Sequence, residues 1–251
     1  MENIVSPAFF GNHIVHSEYL GTTLTHSIKE KFLEEGVVLL KNFFEESSIR
    51  KISLSVESEY IKRIRRDFVM EPYGSTRKMS VIGGSSLVNS NITLMNLYSN
   101  TTLRSAIERI VGEPIHTVSH KEEFMVVNFL DGDGDTHGWH LDDPKYALVV
   151  ITEAPEGRGG NMEFISHWKK KYGSISEAHG VSAAVNIAKL NGDVKSLALE
   201  SGDCYLINAR DSLHRVTPIE GKGKRKALNM AFDDRRYQLF GDTATLLYGG
   251  S

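Results

Sequence analysis

The chain has 251 residues, of which 40% are hydrophobic and 24% are charged, with 22 glycines and 6 prolines. This composition is typical of a soluble globular protein, and it excludes collagenous, disordered and disulfide-built chains. The formal net charge of -3 offers no overall positive field to a phosphate backbone, so we do not expect a nucleic-acid partner.

The first part of the chain, residues 1–112, is predicted to be mostly helical. Apolar residues Ile28, Phe32 and Leu33 recur at helical spacing after a cap at Thr25 or Ser27, and the glycine at position 36 ends this helix. A short apolar run then indicates a buried strand, and a long helix with a basic, solvated face follows it. The buried strand is predicted at 37–44 and the long helix at 46–68. Two more helices are predicted at 92–97 and 103–111.

The second part of the chain, residues 113–235, has a different pattern. Short runs rich in β-branched residues alternate here with clusters of glycine and aspartate, which predicts a β-sandwich or a β-barrel. We find no linker or break in composition, so we expect a single domain, 1–251, whose N-terminal helices pack on one face of a double sheet. The predicted strands lie at 123–130, 146–153, 161–165, 194–199, 203–208, 214–219 and 227–232.

Cysteine content and apolar run length indicate the compartment. Cys204 is the single cysteine and cannot form an internal disulfide, and the first residues lack the charged and apolar regions of a secretory signal. The longest apolar runs, such as 147–151, are far shorter than the ~18 residues of a membrane helix. We therefore expect a cytoplasmic protein without a membrane partner, and a homo-oligomer stays open.

The first candidate functional residues are His140 and Asp142. Side chains at positions i and i+2 of a strand project to the same side, so these two could present an imidazole and a carboxylate to one ion. His214 lies 72 residues after Asp142, and Arg225 follows it at the start of an apolar strand. Two imidazoles and one carboxylate on one face of an octahedron leave three open positions, which suits non-haem Fe(II) oxygenases.

In this order and spacing, His140-x-Asp142, His214 and Arg225 resemble the Fe(II)/2-oxoglutarate-dependent dioxygenases. The resemblance implies an α+β, mainly β fold: a double-stranded β-helix of the cupin-like jelly-roll type over residues 113–235. It also implies Fe(2+), 2-oxoglutarate and O2 as cofactors, with Arg225 on the distal carboxylate of 2-oxoglutarate. A guanidinium suits this role because it can donate two parallel bonds to a carboxylate. Arg215 is a competing candidate, although its place beside His214 on a strand points it to the opposite face.

A closer resemblance is to the carrier-free radical lysine halogenases and their hydroxylase relatives. In those halogenases a glycine replaces the metal-binding carboxylate, whereas Asp142 fills that position here, so the likeness implies a hydroxylase. The halogenases also close their site with C-terminal tryptophans, where this chain has Tyr237, Phe240 and Tyr248. The motifs that carry the resemblance are Ser75-Thr76-Arg77, Glu123, His137-Gly138-Trp139-His140-Leu141-Asp142-Asp143, His214-Arg215-Val216-Thr217-Pro218 and Leu228-Asn229-Met230-Ala231.

The resemblance implies a free amino acid as the small-molecule substrate, and we expect L-lysine, hydroxylated at C4 with release of succinate and CO2. Free lysine has two ammonium groups and one carboxylate, so its pocket needs anions, or several acceptors, and a cation. By resemblance, Glu123 and Asp143 receive the ammonium groups, Arg77 receives the carboxylate, and His137 and Asn229 add hydrogen bonds. The sequence does not assign either acid to a particular ammonium group.

The sequence leaves two alternative functions open. The first is a dioxygenase that acts on another amino acid, a peptide or a nucleobase. The second is a calcium-binding β-module, since Asp131, Asp133, Asp135 and Asp142 occupy positions 1, 3, 5 and 12 of a calcium loop. That pattern lacks the usual glycine at position 6, where Thr136 stands, and the glutamate at position 12.

Overall fold

The structure is a computed structural model that describes residues 10–11, 13–241 and 243–248. Its α-helices are α1 (Thr22–Glu35), α2 (Glu46–Glu59), α3 (Gly84–Ser90), α4 (Ile92–Tyr98), α5 (Thr101–Val111), α6 (Trp168–His179), α7 (Val181–Leu190) and α8 (Thr243–Tyr248). The strands are β1 (Val37–Leu40), β2 (Ile64–Met70), β3 (Ser75–Ile82), β4 (His116–Thr117), β5 (Met125–Leu130), β6 (Thr136–His140), β7 (Tyr146–Glu153), β8 (Met162–Ile165), β9 (Lys195–Leu197), β10 (Cys204–Asn208), β11 (Leu213–Val216) and β12 (Arg225–Asp233).

The strands form two antiparallel layers whose members alternate along the chain. One layer has the order β1-β10-β7-β12-β5, and the other has the order β6-β11-β8-β9. Strand β3 joins the layers because it pairs with both β5 and β6. This alternation is the double-stranded β-helix, so the expected fold class is confirmed, with helices packed against the larger layer.

The larger layer is buried on both faces, and this explains its almost continuous apolar strands. Leu148 and Val150 of β7 pack into the core that includes Phe32 of α1 and Ile107 of α5. Their neighbour Val149 points the other way, into the smaller cluster inside the barrel. Burial of each such side chain stabilises the fold by roughly 1.5–3 kcal/mol. Cys204 also lies in the helix-facing core, as expected for a small apolar residue.

The predicted helix over 46–68 is wrong in its second half. Helix α2 ends at Glu59, and the chain continues after a short 3-10 turn as β2, which pairs with β3 along its whole length. Burial along β2 alternates from residue to residue, as it does in a strand with one covered face. The basic residues of this segment therefore belong to a hairpin, and Arg65 binds the fully buried Asp135 through two hydrogen bonds.

Further segments also differ from the sequence-based expectation: β3 lies within residues 1–112, which were predicted to be mostly helical. The strand β6 was absent from the predicted runs, although the placement of His140 and Asp142 assumed a strand there. Helices α6 and α7 form an insertion between β8 and β9 that was not predicted. Their apolar residues Trp168 and Val185 pack with Trp139 and Leu213 of the smaller layer, so the insertion covers that layer's outer face. No helix among the described residues has the length and apolarity that a membrane crossing requires.

Candidate metal centre

His140, Asp142 and His214 meet at one point on the inner face of the smaller layer. Strands β6 and β11 pair so that His140 and His214 are direct neighbours, and Asp142 follows two residues after the end of β6. The Asp142 carboxylate lies 3.5 Å from Nε2 of His140 and 3.9 Å from Nε2 of His214. One potential ligand atom from each residue falls within 4.8 Å of the others, so the three side chains could hold one metal ion.

Backbone carbonyls orient both imidazole rings. Nδ1 of His140 lies 2.7 Å from the carbonyl oxygen of Gly138, and Nδ1 of His214 lies 3.0 Å from that of Ser212. Each Nδ1 therefore carries a proton and donates it to the carbonyl, which leaves Nε2 with a free lone pair that faces Asp142. This arrangement is the usual one for histidines that bind metals.

Burial keeps the imidazole of His140 neutral. The pKa of His140 lies well below its ordinary value because burial and the neighbouring His137 and His214 disfavour an imidazolium. Burial also raises the pKa of Asp142, and His214 partly opposes that shift. Two imidazoles beside a desolvated acid form a donor set for a divalent cation, whose charge would compensate the carboxylate.

The three residues line a small cavity inside the barrel, with a volume of about 30 Å³. Arg225, at the start of β12, projects into this cavity and is 2% exposed. Its Nε and Nη2 atoms are buried and have no hydrogen-bond partner. A buried guanidinium with two unsatisfied nitrogen atoms is costly, and it indicates an anionic ligand that would bind beside the candidate metal site.

Arg215, the competing candidate, lies outside this cavity. It pairs with Glu163 through Nε and Nη2, both at 2.7 Å, and its guanidinium lies over the ring of Trp139. The aspartates of the calcium-loop alternative are also occupied elsewhere. Asp131 accepts a hydrogen bond from Tyr60, and Asp135 binds Arg65, so these carboxylates do not converge with Asp142 on an ion. Among the described residues, the His140–Asp142–His214 group is the one cluster with metal-ligand geometry.

His137 and Asn229, two of the residues expected to contact substrate, line the same cavity as Arg225. The ring of His137 stacks on that of His140 with 4.0 Å between the ring centroids, and its Nε2 atom is buried without a partner. Burial, followed by the charge of Arg77, places the pKa of His137 well below its ordinary value. Oδ1 of Asn229 is likewise buried and unpaired. Both side chains could therefore bind a ligand as neutral groups.

Arg77 and Glu123 do not line that cavity, but each interacts electrostatically with a residue that does: Arg77 with His137 and Glu123 with Tyr248. Oε2 of Glu123 is buried without a partner, and burial, with Asp142 and Asp143 nearby, raises the pKa of Glu123 to about 8. Arg77 is fully buried and donates from Nη1 to Ser75 and to the carbonyl of Gly138, while Nε and Nη2 are unpaired. Burial lowers the pKa of Arg77 to about 10.

Asp143 faces a second, outer cavity with a volume of about 560 Å³. This cavity shares Asp142 with the inner one, so the candidate metal site lies between the two. Its lining also includes Arg210, together with Tyr237 from the segment near the C-terminus. Tyr237 is 90% exposed, whereas Tyr248 of α8 lines the inner cavity. Of the three C-terminal aromatic residues considered, Phe240 packs against the helical core instead.

Two residues that line the inner cavity were missed by the sequence analysis. Asn128 of β5 has a buried, unpaired Oδ1, and Tyr205 of β10 lies beside Arg225. A signal for Asn128 was present, because an amide in the middle of the apolar run Met-Val-Val-Asn-Phe-Leu needs a polar partner when it is buried. Tyr205 gives no comparable signal, since tyrosine is common in strands.

The family model that matches this chain is described as HalD, halogenase D, and it matches residues 20–239. The matched range contains His140, Asp142, His214 and Arg225. No curated protein matches the chain.

Several solved structures have a similar fold. The non-heme alpha ketoglutarate dependent epimerase SnoN from nogalamycin biosynthesis has 14% sequence identity and a TM-score of 0.65, with 84% of this chain and 83% of that chain covered. HygX from Streptomyces hygroscopicus, solved with nickel and 2-oxoglutarate bound, has 10% identity and a TM-score of 0.63, with 87% and 90% covered. EctD from S. alaskensis, solved with 2-oxoglutarate and 5-hydroxyectoine, has 13% identity and a TM-score of 0.56, with 91% and 81% covered. At these identities the likeness supports the fold.

Proposed function

Since the chain belongs to the halogenase D family, we propose that it is an Fe(II)/2-oxoglutarate-dependent dioxygenase that hydroxylates a free amino acid. The proposed substrate is L-lysine, attacked at C4, and the co-products are succinate and CO2. The observation that carries this proposal is the convergence of His140, Asp142 and His214 within 4.8 Å beside the unpaired guanidinium of Arg225. A cytoplasmic location accompanies the proposal as a prediction.

The residues at the site fit iron and 2-oxoglutarate. Two imidazoles and one carboxylate are the ligand set of non-haem Fe(II) oxygenases, and bound iron with O2 supplies the oxidation of an unactivated C–H bond. Arg225 would hold the distal carboxylate of 2-oxoglutarate through its two unpaired nitrogen atoms. Asn128 and Tyr205, which line the same cavity, would complete the polar surroundings of this co-substrate.

Asp142 favours hydroxylation over halogenation within this family. A halogenase of this type has glycine at the corresponding position, which frees a coordination position for chloride. Here a carboxylate lies 3.5 Å from one histidine and 3.9 Å from the other, in the place of a third ligand. We therefore propose that the chain retains the full set of three protein ligands and transfers oxygen to its substrate.

The charges around the site favour a substrate with two ammonium groups. Asp143 lines the outer cavity beside Asp142, Glu123 lies within electrostatic reach of both, and Glu123 and Asp143 would each bind one ammonium group. Arg77, whose Nε and Nη2 atoms are unpaired, would bind the substrate carboxylate. With Fe(II), 2-oxoglutarate and lysine bound, the formal charges of these ions and side chains cancel. A neutral or acidic amino acid would leave an uncompensated buried carboxylate, which is costly.

The same anchors support the proposed position of attack. A lysine held at both ends by Glu123 and Asp143 would present the middle of its chain to the metal, and C4 is a middle carbon. His137 and Asn229 would add hydrogen bonds from neutral groups and so limit movement of the substrate. The residues thus contribute position and a dry environment, while the cofactors contribute the reactivity.

The test is an aerobic reaction of the purified protein with Fe(II), 2-oxoglutarate and a panel of free amino acids. We expect lysine alone to gain one oxygen atom by mass spectrometry, in proportion to succinate, and NMR of the product to locate the hydroxyl at C4. The matched control is His214→Ala, which removes one metal ligand. If succinate does not exceed the substrate-free background with any amino acid, the assignment to free amino acids fails; oxygen gain on another amino acid would replace lysine.

A further inference from the structure

We propose that Arg210 is a positioning residue that clamps the turn carrying Asp142 and Asp143 to the turn preceding His214. This inference rests on the proposed function, which gives Asp142 and Asp143 their roles. Arg210 lies between β10 and β11, four residues before His214, and its side chain is 23% exposed. Arg210 lines the outer cavity but not the inner one, and its described hydrogen bonds go to no candidate metal ligand, so its effect on the metal site would be exerted through the backbone that it holds.

The guanidinium of Arg210 binds three acceptors on two other segments. Nε donates to the carbonyl oxygen of Asp143 at 2.8 Å. Nη1 donates to Asp234 at 3.3 Å, and Nη2 donates to the carboxylate of Asp233 at the end of β12. The side chain therefore connects the turn after β6, the turn before β11 and the last residues of β12.

Backbone hydrogen bonds place these segments side by side, but none of those between described residues reaches the carbonyl oxygen of Asp143. The amide of Asp142 donates to the carbonyl of Ala209 at 3.0 Å, and the amide of Ala209 donates to the carbonyl of Lys145 at 2.8 Å. The amide of Lys145 donates to Asp233 at 3.3 Å. Asp143 lies between these contacts, and Nε of Arg210 donates to its carbonyl oxygen. Arg210 thus holds the backbone of the turn at Asp143, while the amide of Gly241 donates to the Asp143 carboxylate at 2.9 Å.

The surroundings explain why this position requires arginine. Asp233 is fully buried, so its carboxylate requires a nearby cation. The other cations near it are Lys145, which binds Glu113 and Asp234, and Arg235, which is mostly exposed and 3.8 Å from Asp233. A lysine at position 210 would neutralise Asp233, but a single ammonium group does not reproduce the planar fork that also reaches the Asp143 carbonyl.

Loss of the clamp would affect the substrate side of the site more than the 2-oxoglutarate side. The backbone at Asp143 would move because it loses its side-chain anchor, whereas Asp142 keeps the hydrogen bond from its amide to Ala209. Arg225 and Asp233 are the first and last residues of β12, so they are separated by roughly 26 Å of extended chain. The pocket for 2-oxoglutarate would therefore keep its geometry.

The experiment compares Arg210→Lys and Arg210→Gln with a matched control, Arg65→Gln. The control also removes a guanidinium from a fully buried aspartate, Asp135, but from a pair that does not hold the Asp142–Asp143 turn. Hydrogen exchange of the full-length protein, with and without Fe(II), would report on the segment 141–145. We expect faster exchange there in both Arg210 variants and no change there in the control.

Kinetics provide the second measurement. In Arg210→Lys we expect the KM for lysine to rise by about tenfold, the size of effect expected when one charge-assisted hydrogen bond is lost. Less hydroxylysine should form per succinate, while the KM for 2-oxoglutarate should stay within about threefold of the wild-type value. If Arg210→Lys matches the wild type in exchange and in KM for lysine, the clamp is refuted, whether or not Arg210→Gln folds. If the wild-type protein shows no lysine-dependent turnover, the proposed function fails, and exchange at 141–145 still decides on the clamp.

Discussion

Replacement of Arg225 by glutamine tests the proposed binding of 2-oxoglutarate. The guanidinium is 2% exposed, and two of its nitrogen atoms have no protein partner. Removal of one partner from a buried, bidentate ion pair costs about 3–5 kcal/mol. Since about 1.4 kcal/mol corresponds to a factor of ten, the KM for 2-oxoglutarate should rise by roughly 10² to 4 × 10³. Succinate formation at increasing 2-oxoglutarate concentrations measures this change directly.

Two further measurements separate this explanation from general damage. Thermal unfolding without ligands should show Arg225→Gln to be at least as stable as the wild type, because the variant buries no unpaired charge. Arg215→Gln serves as a control, since Arg215 binds Glu163 outside the cavity. The reasoning about Arg225 is refuted if its variant raises the KM for 2-oxoglutarate by less than about threefold, or if the Arg215 variant raises it equally.

The remaining predictions concern the proposed metal ligand Asp142, the proposed substrate-binding residue Glu123 and the packing of β6 at Gly138. Asp142→Gly should abolish hydroxylation of lysine, measured by mass spectrometry, and full activity in this variant would show that Asp142 is no ligand. Glu123 must be ionised to bind an ammonium group, and its pKa is raised to about 8, mainly by burial. The KM for lysine should therefore fall as the pH rises toward 8, by up to about tenfold per unit, and Glu123→Gln should remove this dependence. Gly138→Ala should lower the free energy of unfolding by about 1–3 kcal/mol, because its Cβ would lie 2.7 Å from the backbone oxygen of Thr76. Chemical denaturation would measure this change, and an unchanged midpoint would contradict the close approach of β3 and β6.

Sequence patterns predicted the secondary-structure elements that are specified by neighbouring residues in the chain. Apolar runs without polar interruptions identified most strands of the larger layer, and Gly36 correctly ended α1 with a left-handed backbone. The predicted helix over 46–68 failed because the residues after Glu59 follow a strand alternation that only pairing with β3 makes favourable. The pattern of one segment does not specify the strand with which it pairs, even where that strand follows directly, as β3 does here.

The sequence by itself determined which side chains could bind a metal: His140 and Asp142 are near neighbours, and His214 is the histidine with a suitable distance and a following arginine. Only the tertiary structure decided which of the other charged residues share their surroundings. Cross-strand register brings Arg77 opposite His137, and the barrel interior brings Asn128 and Arg225 into one cavity. Likewise, Arg210 gains its contacts with Asp143 and Asp233 from segments that meet only on folding. The physical reason is that burial and charge compensation depend on distances in space, which the order of residues does not specify.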